Sequence, residues 1–284
     1  MKIALVGASG FIGKYLIEQL VKEKNISIIA TFNNEKKLLK KKNLKWKKLD
    51  LEKNKKNFYK FLEYPDTLIN LSWKDLPNYN SKSNYASLKY HKMFIKNLVK
   101  NGLRNLVYLG TCFEYGEKSG KYTETNKLNP VTKYAKAKVE LFKYVKKLQT
   151  QNEINFTWLR LFYIYGYNLK RDTLYNLLVK YKKKKIKHLS VTGYLKRDYL
   201  SVENVAKYIK IISMKMKNFG AVNICSGKAI SLKKFARKIV TSRKLYQEIN
   251  FIDNKNNSYE ADIIFGCNKK MKKILKNSLH SNNI

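Results

Sequence analysis

The start of the chain constrains its fold more than any other feature: the apolar run Ile3-Ala4-Leu5-Val6 leads directly into Gly7-Ala8-Ser9-Gly10-Phe11-Ile12-Gly13 and then into a helical pattern. A short buried strand, a glycine turn and a helix start, in that order, gather backbone N–H groups and the positive end of a helix dipole around one point, where a pyrophosphate can sit. Glycine is needed because a Cβ would block that approach. The spacing is GxxGxxG rather than GxGxxG, and glycine spacing alone is weak evidence; the strand before it and the helix after it supply the strength. Gly7, Gly10, Phe11, Ile12 and Gly13 are therefore expected to hold a dinucleotide.

The rest of the first half repeats this rhythm of short β-branched runs and longer helical patterns. After the helix Phe11–Lys22 come the strand Ser27–Ala30, a Lys-rich helix, the strand Trp46–Leu49, another helix and the strand Thr67–Leu71. A helix over Tyr85–Asn101, the strand Leu106–Leu109, a helix over Thr132–Gln149 and the strand Phe156–Leu161 follow. Strands alternating with helices predict an α/β fold with a doubly wound parallel sheet. Past Gly166 the elements shorten to a helix over Val202–Met216, a strand Ala221–Ile224 and a helix over Leu232–Val240. The expected organisation is a dinucleotide-binding core over 1–166 and a small substrate-binding lobe over 167–284, with 198–225 returning to the core. The segment from Lys276 to Ile284 has little to bury and is expected to fray.

Composition narrows the classes. With 284 residues the chain suits one large domain with an elaborated C-terminal part. No stretch is apolar for the length of a membrane span, and Met1 leads into a strand rather than a signal peptide, so a cytoplasmic protein is expected. Cys112, Cys225 and Cys267 are odd in number and far apart, which suggests reduced thiols and no metal site. The net charge of +40 would by itself point to a polyanion. Lys is abundant everywhere, however, while Arg occupies only six positions. Base-reading or stacking motifs are missing, so a solvated Lys-rich surface is the preferred reading and no specific nucleic-acid partner is expected. The run Lys182-Lys183-Lys184-Lys185 has no explanation from sequence.

The second strand end reads Ala30-Thr31-Phe32-Asn33-Asn34. A carboxylate there accepts the ribose 2′-hydroxyl of NAD and repels the 2′-phosphate of NADP. None is present, and Lys36 and Lys37 follow, so either dinucleotide is accepted with a lean to NADP over NAD. Thr31 and Asn33 are placed at the cofactor. Asp50, ending the third strand, is placed at the adenine amino group; the competing reading is a helix N-cap for Leu51-Glu52. Leu51, Leu71 and Ser72 complete the expected cofactor contacts.

Tyr134 and Lys138 are four residues apart on a helical pattern, which puts a phenol and an ammonium on one face. A nearby ammonium favours the phenolate, so Lys138 is expected to lower the Tyr134 pKa and also to hold the nicotinamide ribose. In a Lys-rich chain a YxxxK spacing is common. Thr111, just after a strand whose end meets the crevice, raises its weight.

Gly7–Gly13, Thr111, Tyr134 and Lys138 together resemble the extended short-chain dehydrogenase/reductase family, whose many members act on nucleotide-diphospho sugars. Arg160–Gly166, Arg197–Ala206 and Val222–Gly227 look like its later signatures, so the resemblance covers nearly the whole chain. It implies that Thr111 binds the sugar carbonyl or hydroxyl, that Tyr134 is the general acid/base, and that Lys138 orients the cofactor. It also implies that Arg197 contacts the nucleotide diphosphate; the competing reading is a surface ion pair with Asp198 or Glu203. Dimerisation through the Tyr85–Asn101 and Thr132–Gln149 helices is a further family expectation.

Family members that dehydrate the sugar carry Asp-Glu directly after the Thr, where this chain has Cys112 and Phe113, so a dehydratase is disfavoured. Reductases that also epimerise carry a Cys at the position of Phe113; Cys112 is one place early and is read as packing. Asn70–Tyr79, Gly110–Gly116 and Tyr259–Gly266 resemble reductases of dTDP-4-dehydro-6-deoxyhexoses, of the dTDP-fucose- and dTDP-6-deoxytalose-forming type. The implied reaction is NAD(P)H-dependent reduction at C4, with Trp73, Cys112, Phe113 and Tyr163 lining the sugar pocket beside Thr111 and Arg197. A nucleotide-sugar 4-epimerase retaining NAD, a noncatalytic dinucleotide-binding sensor and a nucleic-acid binder are the alternatives.

Overall fold

The computed structural model describes residues 1–33, 38–53, 55–167, 173–252 and 261–276. Lys36, Lys37, Tyr259, Glu260 and the tail from 277 onward, all singled out above, lie outside them.

Five strands, β1 (Lys2–Val6), β2 (Ser27–Phe32), β3 (Leu44–Lys48), β4 (Thr67–Asn70) and β5 (Asn105–Thr111), join Asn155–Leu161 and Gly220–Ile224 in one seven-stranded sheet. Its order is Gly220–Ile224, Asn155–Leu161, β5, β4, β1, β2, β3, and every pairing is parallel. The sequence reverses direction between β1 and β4. The crevice beyond the carboxyl ends of the strands at such a reversal is where ligands bind in open parallel sheets.

Helices cover both faces, so the central strands are apolar on both sides: Ile3, Ala4 and Leu5 of β1 are fully buried. On one face Leu16, Ile17 and Leu20 of α1 (Phe11–Leu20) meet Val205, Ala206 and Ile209 of the helix Val202–Met214. On the other face, the helices Ser83–Lys100 and Lys133–Asn152 bury Phe94, Ile95, Leu98, Ala137, Leu141 and Val145 against Phe156 and Trp158.

The Lys-rich helix expected between β2 and β3 is not found over 38–43, which forms a turn with a bridge from Lys41 to Leu44. That stretch offers only Leu38 and Leu39 as apolar groups, too few for a buried helical stripe. Between β3 and β4 the expected helix shrinks to Phe58–Phe61, capped by the Asn57 side chain on Lys60 N at 2.8 Å.

The C-terminal lobe has its own core of Tyr175, Leu178, Tyr181, Val191, Phe235 and Val240. A small sheet in the order Ile230–Ser231, Lys196–Arg197, Ile263–Gly266, Gly120–Tyr122 carries Arg197 on an interior strand, next to the cleft. No helix among the described residues is long and apolar enough to cross a membrane.

Candidate active site

The glycine loop is built as its sequence demands. Gly7 sits at φ +78, and a Cβ on it would come within 2.9 Å of Ser72 N. A Cβ on Gly13 would reach 2.4 Å from the Ala8 carbonyl oxygen, a backbone contact that no side-chain motion relieves. The loop hangs from β2, where Ala8 N donates to Thr31 O at 3.1 Å and Gly7 N donates to Thr31 Oγ1 at 3.2 Å. Gly10 caps α1 with no side-chain hydrogen bond and no acid in the first turn. The N–H groups of Gly7, Ala8 and Gly10 are bonded within the chain, and no side chain caps or opposes the positive end of the α1 dipole, a helix start of the kind that suits a dinucleotide pyrophosphate.

Two connected clefts meet at this loop. Gly7, Gly10, Thr31, Asn33, Asp50, Leu51, Leu71, Ser72 and Trp73 line the first. Gly7, Gly10, Phe11, Ile12, Gly13, Leu71, Trp73, Thr111, Cys112, Phe113, Tyr134, Tyr163 and Arg197 line the second. Thr31 is buried with its hydroxyl engaged by Gly7 N, so it shapes the loop. Asp50 does not cap a helix: Leu51–Lys53 is a turn, and the Asp50 carboxylate accepts from Glu52 N at 3.1 Å.

Lys138 lines neither cleft. It lies one turn along the helix from Tyr134, 2% exposed, and its ammonium donates to Leu109 O at 2.8 Å. The same Nζ sits 4.0 Å from the centroid of the Trp73 ring, on which His91 is stacked at 4.8 Å and which Tyr134 meets edge-on at 5.8 Å. Burial pushes the Lys138 amine down to about 7. Burial likewise drives the buried His91 imidazole well below its ordinary value, with the Lys138 charge adding to the effect.

Tyr134 and Thr111 line the same cleft. Burial raises the Tyr134 phenol far above the ordinary range; the charge on Glu114 and the neighbouring Tyr79 and Cys112 add to this, and the Thr111 side chain opposes it. The lowering of this phenol by Lys138, expected from the YxxxK spacing, is therefore corrected. Desolvation outweighs the ammonium, which is turned toward Leu109 O and the Trp73 face. Tyr134 is thus held protonated at neutral pH. Cys112 is buried and its thiol is pushed up to about 12, so it is inert packing at neutral pH.

The chain matches the model of the NAD dependent epimerase/dehydratase family over residues 3–225. It belongs to that family. It is similar to a dTDP-6-deoxy-L-talose 4-dehydrogenase (NAD(+)) from Aggregatibacter actinomycetemcomitans, 24% identical over 94% of this chain and 100% of the relative. It is also similar to an uncharacterized UDP-glucose epimerase from Bacillus subtilis (strain 168), 26% identical over 86% of this chain and 83% of the relative. Its fold is that of the UDP-N-acetylglucosamine 4-epimerase from Bacillus cereus, with TM-score 0.80, 20% identity, and 97% and 93% of the two chains covered. A UDP-glucuronic acid 4-epimerase variant from Bacillus cereus in complex with NAD superposes with TM-score 0.81 at 18% identity over 97% and 93% of the chains.

Arg197 also lines the second cleft. Its guanidinium is 2% exposed, donates from Nη1 to Lys196 O at 2.9 Å and Asp262 O at 3.2 Å, and lies 5.5 Å from the Tyr163 ring centroid. The reading of Arg197 as a surface ion pair with Asp198 is excluded by this burial and by the use of Asp198 elsewhere. The Asp198 carboxylate accepts from Ser226 N at 2.7 Å, Ser226 Oγ at 2.6 Å, Gly227 N at 2.9 Å and Gly266 N at 3.2 Å, tying the Ser226-Gly227 turn and the end of the strand Ile263–Gly266 to the arginine strand.

Sequence reasoning missed Glu114, Arg160 and Asp198 as residues that shape the site. Glu114 stands in the quoted stretch Gly110–Gly116 and Arg160 opens another, yet their pairing appears only when the strand Asn155–Leu161 lies beside β5. The available local signal was Thr111-Cys112-Phe113-Glu114, a capping-box spacing at a strand end.

Proposed function

We propose that the protein reduces the C4 keto group of a nucleotide-diphospho-4-keto-6-deoxyhexose, dTDP-linked, using NADH or NADPH. The observation that carries this reading is that Thr111 and Tyr134, its phenol held protonated by burial, line one cleft together with the glycine loop. A bound nicotinamide dinucleotide would supply the hydride. Backbone N–H groups at the α1 N-terminus would hold its pyrophosphate, and Lys138, which lies behind the cleft wall against Leu109 O and Trp73, would meet the nicotinamide ribose by turning from those partners. Tyr134 donates its proton to the C4 oxygen as the alkoxide forms, and Thr111 hydrogen-bonds that oxygen. Arg197 pairs with the diphosphate of the sugar nucleotide as a charge-assisted, forked donor. The position that holds an acid in dehydratases is Cys112-Phe113 here, a buried thiol and an aromatic ring, neither of which can shuttle protons for elimination.

Thr31-Phe32-Asn33 presents no carboxylate to repel a 2′-phosphate, which supports acceptance of NADPH as well as NADH. Similarity to a UDP-glucose epimerase keeps a 4-epimerase as the second reading. An epimerase would convert a 4-hydroxy sugar without net change in cofactor and would purify with NAD bound. A reductase oxidises added NADH or NADPH stoichiometrically with the keto sugar. Dimerisation through the helices Ser83–Lys100 and Lys133–Asn152 belongs to the proposal, and light scattering at twice the chain mass tests it.

A further inference from the structure

Directly beneath the Thr111–Tyr134 pair is a buried ion pair that the proposed chemistry does not use. Glu114 is fully buried and Arg160 is 2% exposed, and Arg160 Nε donates to Glu114 Oε2 at 2.7 Å. Glu114 Oε1 accepts from Thr111 N at 2.9 Å and from Trp158 Nε1 at 2.8 Å. Arg160 in turn donates from Nη1 to the Tyr115 hydroxyl at 3.0 Å and to Glu124 O at 3.3 Å, and Tyr115 donates to Asn223 Oδ1 at 2.7 Å. One network thus runs from the reacting corner, through the carboxylate, to the last strand of the sheet. Space is reserved for it: a Cβ on Gly110 would fall 2.5 Å from Glu114 Oε1 and 2.1 Å from Trp158 Nε1.

A buried ion pair is weak evidence for stability, because desolvation offsets much of its attraction and apolar replacements are often as stable. Its place here gives it another use. We propose that Glu114, clamped by Arg160, is a positioning residue for the reaction: it fixes the Thr111 peptide against Tyr134 and sets a negative charge beneath the Tyr134–Lys138 pair. The inference rests on the reductase reading for its kinetic consequence only.

The charge acts on both neighbours in one direction, raising the phenol of Tyr134 and raising the amine of Lys138 against its burial. Tyr134 is also faced by Thr111 at the end of β5, by Cys112 in the turn that follows it, by Tyr79 from the loop before the helix Ser83–Lys100, and by Lys138 from its own helix. Lys138 is faced by Trp73, Tyr108 and Trp158, with His91 behind Trp73. Among these groups Glu114 is the carboxylate that acts on both.

The test is Glu114→Gln, which keeps an acceptor for Thr111 N and Trp158 while removing the charge. Since the Gln would leave Arg160 buried and unpaired, the double variant Glu114→Gln/Arg160→Met is measured beside it. Expected are a kcat about tenfold to a hundredfold lower with KM nearly unchanged, and an alkaline loss of activity that begins at lower pH than in the wild type as Lys138 loses its charge earlier. The double variant is expected to regain thermal stability without regaining the wild-type pH profile. A double variant with wild-type kcat and pH profile would show that the pair is merely structural and overturn the inference. A readout independent of turnover is the NADH dissociation constant against pH, which should begin to rise at lower pH in both variants because Lys138 loses its charge earlier. If the wild type turns over no 4-keto sugar, the reductase reading fails, and this titration decides the role of Glu114 alone; superimposable wild-type and variant curves would reject it.

Discussion

The glycine loop and the Thr111–Tyr134 corner lie along one cleft but are built by opposite means. The loop recognises by leaving things out: glycines where a Cβ would strike Ser72 or Ala8, and a helix start with no capping side chain. The corner recognises by what it buries: a phenol, an ammonium, a carboxylate and a guanidinium, each faced by a partner distant in sequence. The loop's requirement is steric and local, so it is carried by seven consecutive residues. That of the corner is electrostatic, and depends on which strands the sheet sets side by side.

If that contrast holds, substitutions in the corner should reduce rate and those in the loop should reduce cofactor affinity. The largest expected effect is that of Tyr134→Phe, which removes the proton donor and should lower kcat by about 10²- to 10⁴-fold while NADH affinity stays within about twofold. Equal losses in both quantities would show that the corner and the loop are not separable. Next is Gly13→Ala, whose Cβ would sit 2.4 Å from Ala8 O and must push the loop off β1. Overpacking of this kind costs about 1–3 kcal/mol; NADH affinity measured by fluorescence should fall by tenfold or more, with a lowered Tm.

A smaller effect joins the two regions. Burial depresses the Lys138 amine to about 7, so it is charged below that pH and neutral above it. If its ammonium holds the nicotinamide ribose, NADH affinity is greatest below about pH 7 and weakens as pH rises through that value. Lys138→Met should flatten this dependence. The smallest change is expected of Thr31→Val, which removes the acceptor of Gly7 N and should weaken NADH binding only several-fold, in line with about 1 kcal/mol for one hydrogen bond. A loss as large as that of Gly13→Ala would mean that the loop depends on its side-chain support more than on its glycines.

The same contrast explains what was legible in the sequence. The strand–loop–helix at Gly7–Gly13 and the central strands were readable because a doubly buried strand is a continuous apolar run and a helix face repeats every third or fourth residue. Tyr134 and Lys138 could be placed on one face by the same periodicity. Where the ammonium would point could not, because the Leu109 carbonyl and the Trp73 ring come from other elements. Glu114 and Arg160 are 46 residues apart, and nothing local marks them as partners. The strands Ser190–Thr192 and Lys196–Arg197 are too short to show an alternation, so the hydrogen bonds of Asp198 to Ser226 and to the end of the strand Ile263–Gly266 were invisible. Around Lys41 the error was of another kind: charged helix-forming residues without an apolar stripe gave a turn.

The most direct test of the central claim follows absorbance at 340 nm with wild-type protein, NADH or NADPH, and a dTDP-4-keto-6-deoxyhexose, with the sugar product identified by NMR. The predicted result is oxidation of one cofactor per sugar reduced at C4, abolished in Tyr134→Phe. Conversion of a 4-hydroxy nucleotide sugar to its C4 epimer with no net oxidation, or no oxidation across a panel of 4-keto nucleotide sugars, would contradict it.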